Sequence, residues 1–381
     1  MQLRSILAAA GAFALAACSD VQPTGPITTP NAPSLSQSDN AQGGVFVSTN
    51  GLSGNAVVAF ARNANGALAY TGTFATGGTG IGGAADPLAS QFAVALSSNA
   101  QFLLVVNAGS NDVSSFAVDG GSLTLVDRAS SGGVRPVSVA ISNGIVYALN
   151  TISNTIGVIA IGNDGSLTAL PSLTKPLAVG ANGAAEVRVD PTGHILIVSE
   201  RVSNRLESYE IGNDGALGNA VVTPAAGTTP FGFDFATRGK VVVSEAASGS
   251  ASSYDIGSNG ALAVVSAAAP TLQRAPCWLI VNNSGRFAYT ANAGSATITG
   301  FGIDAQGTLT RLASTGVSGD LGAGAQPLDL DMSRNGNFLY VMKNGTGTVG
   351  AFSVAGDGSL TAMSDTPGLV ARAGYMGLAA Y

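Results

Sequence analysis

The feature that most constrains this chain is a glycine that returns seven times, each followed two positions later by a leucine. The glycines are Gly66, Gly121, Gly165, Gly215, Gly260, Gly307 and Gly358, at spacings of 55, 44, 50, 45, 47 and 51 residues. Their leucines are Leu68, Leu123, Leu167, Leu217, Leu262, Leu309 and Leu360. A large apolar residue stands six positions before each glycine, at Phe60, Ile159, Tyr209, Tyr254, Phe301 and Phe352; Phe116 stands five before Gly121. Self-similarity at this period marks a repeat architecture. Short apolar alternations separated by Asn-Gly, Asp-Gly and Ser-Gly pairs mark strands joined by tight hairpins.

One unit shows the plan. Pro276 to Val281 reads as an inner strand, Phe287 to Asn292 as a second, Ile298 to Ile303 as a third and Leu309 to Leu312 as an outer strand. Four-stranded units of this length, with no helical stretch between them, are blades of a propeller. The expectation is an all-β, seven-bladed β-propeller. The first blade begins at Val45 with second-strand character, and Tyr375 to Tyr381 has inner-strand character after the last outer strand. The C-terminal strand is therefore expected to join blade one and close the ring.

The N-terminus follows other rules. Ile6 to Ala17 is an uncharged run of 12 residues behind Arg4. A membrane span needs about 20 apolar residues, so this run fits the apolar region of a secretory signal. Leu15-Ala16-Ala17-Cys18 resembles the bacterial lipobox, whose cysteine receives a diacylglycerol. Ser19 resembles the residue that sends lipoproteins to the outer membrane. The expected organisation is a lipoprotein signal peptide at 1–17, a flexible tether rich in Pro, Thr, Ser, Asn and Gln at 18–43, and the propeller at 44–381. The expected location is the cell envelope, lipid-anchored through Cys18 at the outer membrane and facing periplasm or exterior.

Composition narrows the partners. Net charge is −6, only 10% of residues are charged and no Lys/Arg run occurs, which argues against nucleic acid. With Cys18 lipidated, Cys277 is the one thiol left, too few for an intramolecular disulfide. One histidine and one thiol make a transition-metal site improbable, and no cofactor is expected. A monomer is expected.

The second strands Phe102 to Asn107, Phe287 to Asn292 and Phe338 to Met342 resemble the YVTN-type propeller repeat. Together with the Asp/Asn-Gly-x-Leu turns, they resemble the lactonase family of seven-bladed propellers, which includes 6-phosphogluconolactonases and carboxymuconate-cyclising enzymes. Ala275-Pro276-Cys277-Trp278, with Asn283 to Tyr289 after it, is similar to a segment of secreted bacterial members. The resemblance implies lactone chemistry using His, Glu and Arg near the mouth of the central channel. This chain departs from that pattern, because its one histidine, His194, follows the Pro191-Thr192-Gly193 hairpin on the opposite face.

The mouth is expected where inner strands start and second strands end. The second strands end on Asn50, Asn107, Asn150, Glu200, Glu245, Asn292 and Lys343. Two carboxylates thus replace asparagine on neighbouring blades, with Arg201, Arg205 and Arg274 near them. This grouping suits water activation and oxyanion stabilisation, or an ion-pair network bracing the blades. Glu186, nearer the mouth than Arg188, is placed to reach the channel, while Arg188 and Asp234 occupy equivalent positions and should pair. Phe231 and Trp278 stand at matching positions and offer a stacking wall for a ligand, or core packing. Two activities remain in view: hydrolysis of an unphosphorylated sugar-acid lactone, and a non-catalytic surface module binding a protein or glycan.

Replacing Cys18 by Ala should abolish incorporation of radiolabelled palmitate. Persistent labelling of that variant would refute the anchor.

Overall fold

A computed structural model describes residues 42–237 and 239–381. The signal peptide, Cys18 and nearly all of the tether lie outside the described residues. Seven antiparallel sheets follow one another along the chain, each built around four strands running from the channel outward. Blade six matches its sequence reading, with strands Pro276–Val281, Phe287–Asn292, Thr297–Ile303 and Leu309–Arg311. No helix among the described residues is long and apolar enough to cross a membrane.

The recurring glycine has two physical reasons. Six of the seven, all but Gly121, adopt positive φ between 80° and 93°, a region costly for any residue with a Cβ. They also press against the preceding blade. A Cβ on Gly66 would stand 2.3 Å from the Phe338 ring, one on Gly165 2.6 Å from Phe102, and one on Gly358 2.5 Å from Phe287. The glycine carbonyls are claimed by hydroxyls of that same preceding blade. Tyr340 Oη donates to Gly66 at 2.8 Å, Tyr147 Oη to Gly215 at 3.1 Å, Tyr289 Oη to Gly358 at 2.8 Å and Ser253 Oγ to Gly307 at 2.6 Å. Blade two departs by one residue. Its hairpin is shorter, Asp119 pairing with Ser122, and Gly120 rather than Gly121 takes positive φ. This explains the offset of Phe116.

Inner strands splay too far apart around the axis to share a backbone ladder, so side chains lace them. Glu186 Oε2 accepts from Phe233 N–H at 2.7 Å and Asp234 Oδ2 from Val281 N–H at 2.9 Å. Asp329 Oδ2 accepts from Leu378 N–H at 2.9 Å and Asp331 Oδ2 from Ala380 N–H at 2.8 Å. Each acid thus reaches the inner strand of the next blade. Arg188 and Asp234 form the expected inter-blade ion pair at 3.0 Å.

The ring closes as expected. Met376–Ala380 pairs antiparallel with Gly43–Ser48 as the inner strand of blade one. Arg62 Nε donates to the Tyr381 carbonyl at 2.8 Å, and Tyr381 Oη donates to Gly120 of blade two at 2.9 Å. Deleting residues 374–381 should expose a strand edge on blade one and open the channel wall against blades two and seven. The expected result is aggregation or a drop in melting temperature of at least about 10 °C, since many kcal/mol of burial are lost; an unchanged melting curve would refute closure.

Candidate functional site

Antiparallel strands give the ring two distinct faces. The strand-start face carries the beginnings of the inner strands and the loops between second and third strands. The turn face carries the remaining hairpins. The sequence places the mouth on the strand-start face, and here the structure corrects it. The 55-residue spacing before Gly121 holds an extra segment, Asp86 to Phe92, which fills that end of the channel. Gln91 is fully buried and crosses the axis, its Nε2 donating to the Leu279 carbonyl and its Oε1 accepting from Leu279 N–H, both at 2.9 Å. Its backbone N–H reaches Ala185 of blade four at 3.2 Å, and Ser90 Oγ reaches Val137 of blade three at 2.8 Å.

The plug decides the fate of the aromatic pair. Phe231 and Trp278 do meet, edge to face with centroids 5.4 Å apart, but both are fully buried. Trp278 Nε1 donates to the Ser90 carbonyl at 2.9 Å. The expected stacking wall is corrected to core packing under the plug.

Glu200 and Glu245 are likewise buried, not open at a mouth. They belong to a clasp repeated from blade to blade, in which the last residue of the second strand bonds positions five and seven further on. Asn107 donates to Asp112 at 2.6 Å and Ser114 at 2.8 Å, and Asn292 to Thr297 at 3.1 Å and Thr299 at 2.9 Å. Glu245 accepts from Ser250 and Ser252, each at 2.6 Å, and from Gly227 N–H at 2.6 Å. In blade four the clasp is ionic. Arg205 pairs with Glu200 at 3.1 Å and with Glu207 at 2.7 Å, and its remaining N–H groups reach the carbonyls of Ala178 and Val179. Glu207, which sequence reasoning missed, is legible as an acid where the equivalent positions carry Ser114, Ser252 and Thr299.

Two buried carboxylates around one guanidinium cannot both ionise freely. Burial, reinforced by Glu207, pushes Glu200 up to about 7. Burial also acts to raise Glu207, but hydrogen bonds from Glu200, Tyr209 and Ala178 N–H, with the Arg205 charge, hold it below the usual range. Arg201 lies 5.8 Å from the Phe231 ring centroid, and Arg274 is exposed with Nη2 on the Gly294 carbonyl at 2.7 Å. Neither shares an ion pair with Glu200 or Glu245. Glu186 is buried with Oε2 on Phe233 N–H and no hydrogen-bond partner for Oε1; burial, opposed by Arg188, pushes its carboxyl well above the usual carboxylate range. His194 is exposed in its hairpin on the turn face, the face that the structure gives to the open cavity, but it does not line that cavity.

The open cavity lies at the turn face. It has a volume of about 340 Å³ and is lined by Phe92, Arg188, Asn283, Asp331, Arg334 and Tyr381 among others. Phe92, the end of the plug, forms its inner wall with the Arg188 guanidinium 4.1 Å from its ring centroid. Asp331 is half-buried as a residue, but both its carboxylate oxygens are turned onto backbone N–H groups, those of Met332 and Ala380. Burial pushes it up to about 7, against hydrogen bonds from Ala380 and Met332 N–H and the charge of Arg188. A carboxyl poised near neutrality, in a cavity of ligand size that a guanidinium also lines, can move a proton and stabilise an anion. In the sequence Asp331 reads only as a charge within an inner strand, because the plug that moves the opening carries no repeat signal.

The raised Glu200 also has a measurable signature. Its folded value of about 7 exceeds the unfolded value near 4.3, so the stability it contributes is full below about pH 4 and is lost as pH rises through about 7. Glu200→Gln should therefore flatten the decline of melting temperature between pH 5 and 8 and cost more at pH 5 than at pH 8. Parallel pH profiles for variant and wild type would contradict this assignment.

Residues 40–176, 142–246 and 241–324 match the family described as "Lactonase, 7-bladed beta-propeller". A 6-phosphogluconolactonase of Serratia proteamaculans is 26% identical over 120 residues, 31% of this chain and 36% of that protein. The match thus spans about a third of that relative's length. Among solved structures, the periplasmic gluconolactonase of Pseudomonas aeruginosa superposes with a TM-score of 0.66 at 17% identity, over 89% of this chain and 98% of its own. A virginiamycin B lyase from Staphylococcus aureus superposes with a TM-score of 0.52 at 15% identity, over 74% and 86%, so likeness of fold here extends across different chemistries. From its sequence match across most of the propeller, this chain belongs to the seven-bladed β-propeller lactonase family.

Proposed function

We propose that the protein hydrolyses an unphosphorylated sugar-acid lactone in the cell envelope, using the cavity on the turn face. The observation that carries this reading is that Asp331 and Arg188 line the same cavity, in a chain of the lactonase family. Ionised Asp331 takes a proton from a water, whose oxygen bonds to the lactone carbonyl carbon. Arg188, held by Asp234 at 3.0 Å, stabilises the tetrahedral oxyanion. The ring C–O bond then breaks, and the leaving oxygen recovers the proton from Asp331 to give the open hydroxy acid. The cavity lies within the size range of small-molecule sites. Export through a Cys18 anchor would separate the protein from phosphorylated cytosolic metabolites, and the periplasmic gluconolactonase of Pseudomonas aeruginosa shares the fold.

Purified protein should open glucono- and galactonolactones in preference to 6-phosphogluconolactone, with a kcat limb near pH 7. Asp331→Asn should lower kcat by about 10²–10⁴-fold, while Glu200→Gln and Glu245→Gln retain turnover. Full activity of Asp331→Asn with loss in either Glu variant would move the chemistry to the buried clasps, to Glu200 or Glu245 with Arg201, Arg205 or Arg274. Absence of turnover across the panel would leave the surface-binding role.

A further inference from the structure

The strand-start face, closed by the plug, differs from the turn face in two independent ways. The first is apolar exposure. Leu52, Val134, Ile152, Val179, Val202 and Leu272 are exposed, Val179 completely and Leu52 at 72%. All six lie on loops of the strand-start face, contributed around blades one, three, four, five and six. The remaining exposed large apolar residues among those described, such as Leu125 and Val264, lie in or beside outer strands. None of them lies on a turn-face hairpin.

The second difference is charge. Arg135, Arg201, Arg274 and Arg372 stand in strand-start loops, and among the described residues none of their side chains forms an ion pair. Hairpins of the turn face carry Asp119, Asp164, Asp214, Asp304 and Asp357, all exposed. The turn-face hairpins also carry the exposed Arg286 and Arg334, so acids outnumber arginines there, whereas the strand-start loops set four arginines without an ion pair among aliphatic tips, with the exposed Asp320 beside them.

From these observations we propose that the strand-start face docks on an anionic phospholipid surface. Separate aliphatic tips on neighbouring loops suit shallow insertion below the headgroups, and arginines among them suit the headgroup phosphates. A protein interface would be expected to centre on aromatic anchors, and no exposed Trp, Tyr or Phe stands among the six tips. Docking in this orientation leaves the cavity on the turn face open to solvent.

The test uses the full chain in a Cys18→Ser background, so that no acyl anchor contributes. Gly54 on the docking face and Gly356 on the turn face have no neighbouring atom within 4 Å of where a Cβ would stand, and each is replaced by Cys and labelled with an environment-sensitive dye. Vesicles of phosphatidylglycerol and phosphatidylcholine should blue-shift the dye at residue 54 and leave that at 356 unmoved, whereas pure phosphatidylcholine should shift neither. Arg135→Gln with Arg201→Gln should weaken partitioning by at least about tenfold. Val179→Ser with Val202→Ser should weaken it without changing the melting temperature. Silence at residue 54, equal shifts at both residues, or insensitivity to the arginine pair would each overturn the proposal.

Discussion

The structure depends on one contact made again and again: a glycine hairpin of one blade pressed against the second-strand entry of the blade before it. The positive φ turns the chain sharply, the missing Cβ lets an aromatic or aliphatic side chain lie flat against the backbone, and the exposed carbonyl accepts a hydroxyl. Tyr340 and Phe338 both belong to blade seven, and both meet Gly66 of blade one. The same contact that spaces neighbouring blades therefore also joins the last blade to the first. Side-chain laces from Glu186, Asp234, Asp329 and Asp331 do at the axis what these glycines do farther out.

This division explains why carboxylates stand in the inner strands of a chain with few charged residues without marking chemistry wherever they occur. An inner-strand N–H that finds no backbone partner must be satisfied, and an acid from the adjacent blade supplies the acceptor. At the outer end of the second strand the same need is met by Asn, Glu or Lys, with Ser, Thr or an ion on the third strand. Glu245 accepts three short hydrogen bonds and Glu200 is held by Arg205, so both act as fastenings. Removing one partner from such a buried pair typically costs about 3–5 kcal/mol.

Much of this was legible in the sequence because it repeats. Seven glycines fixed the blade number, strand character at Val45 and Tyr375 fixed the closure, and equivalent registers paired Arg188 with Asp234. What does not repeat stayed hidden. Asp86 to Phe92 has no counterpart in other blades, so only the long spacing before Gly121 announced it, and nothing in that spacing says that Gln91 bonds to Leu279. Glu207 escaped for the opposite reason: it sits in a regular register, and only comparison with Ser114, Ser252 and Thr299 reveals that the ion is unusual. The position of the opening was misread because it is set by the plug rather than by the blades.

Once the plug is in place, the two faces cannot share a task. On the strand-start side, Gln91 and Ser90 bond across the axis to Leu279 and Trp278, and the loops there are free to vary without disturbing a site on the other face. On the turn side a cavity reaches the ends of the inner strands, and of the four acids that lace them Glu186, Asp234 and Asp329 are buried while Asp331 is partly exposed. Asp331 is thus both a fastening for Ala380 and a wall of the cavity. Its raised affinity for protons comes from burial of the carboxyl and is opposed by the hydrogen bond of the first role. Because Arg188 lines the same cavity, the chemistry proposed for Asp331 would arise from the way the ring is held together.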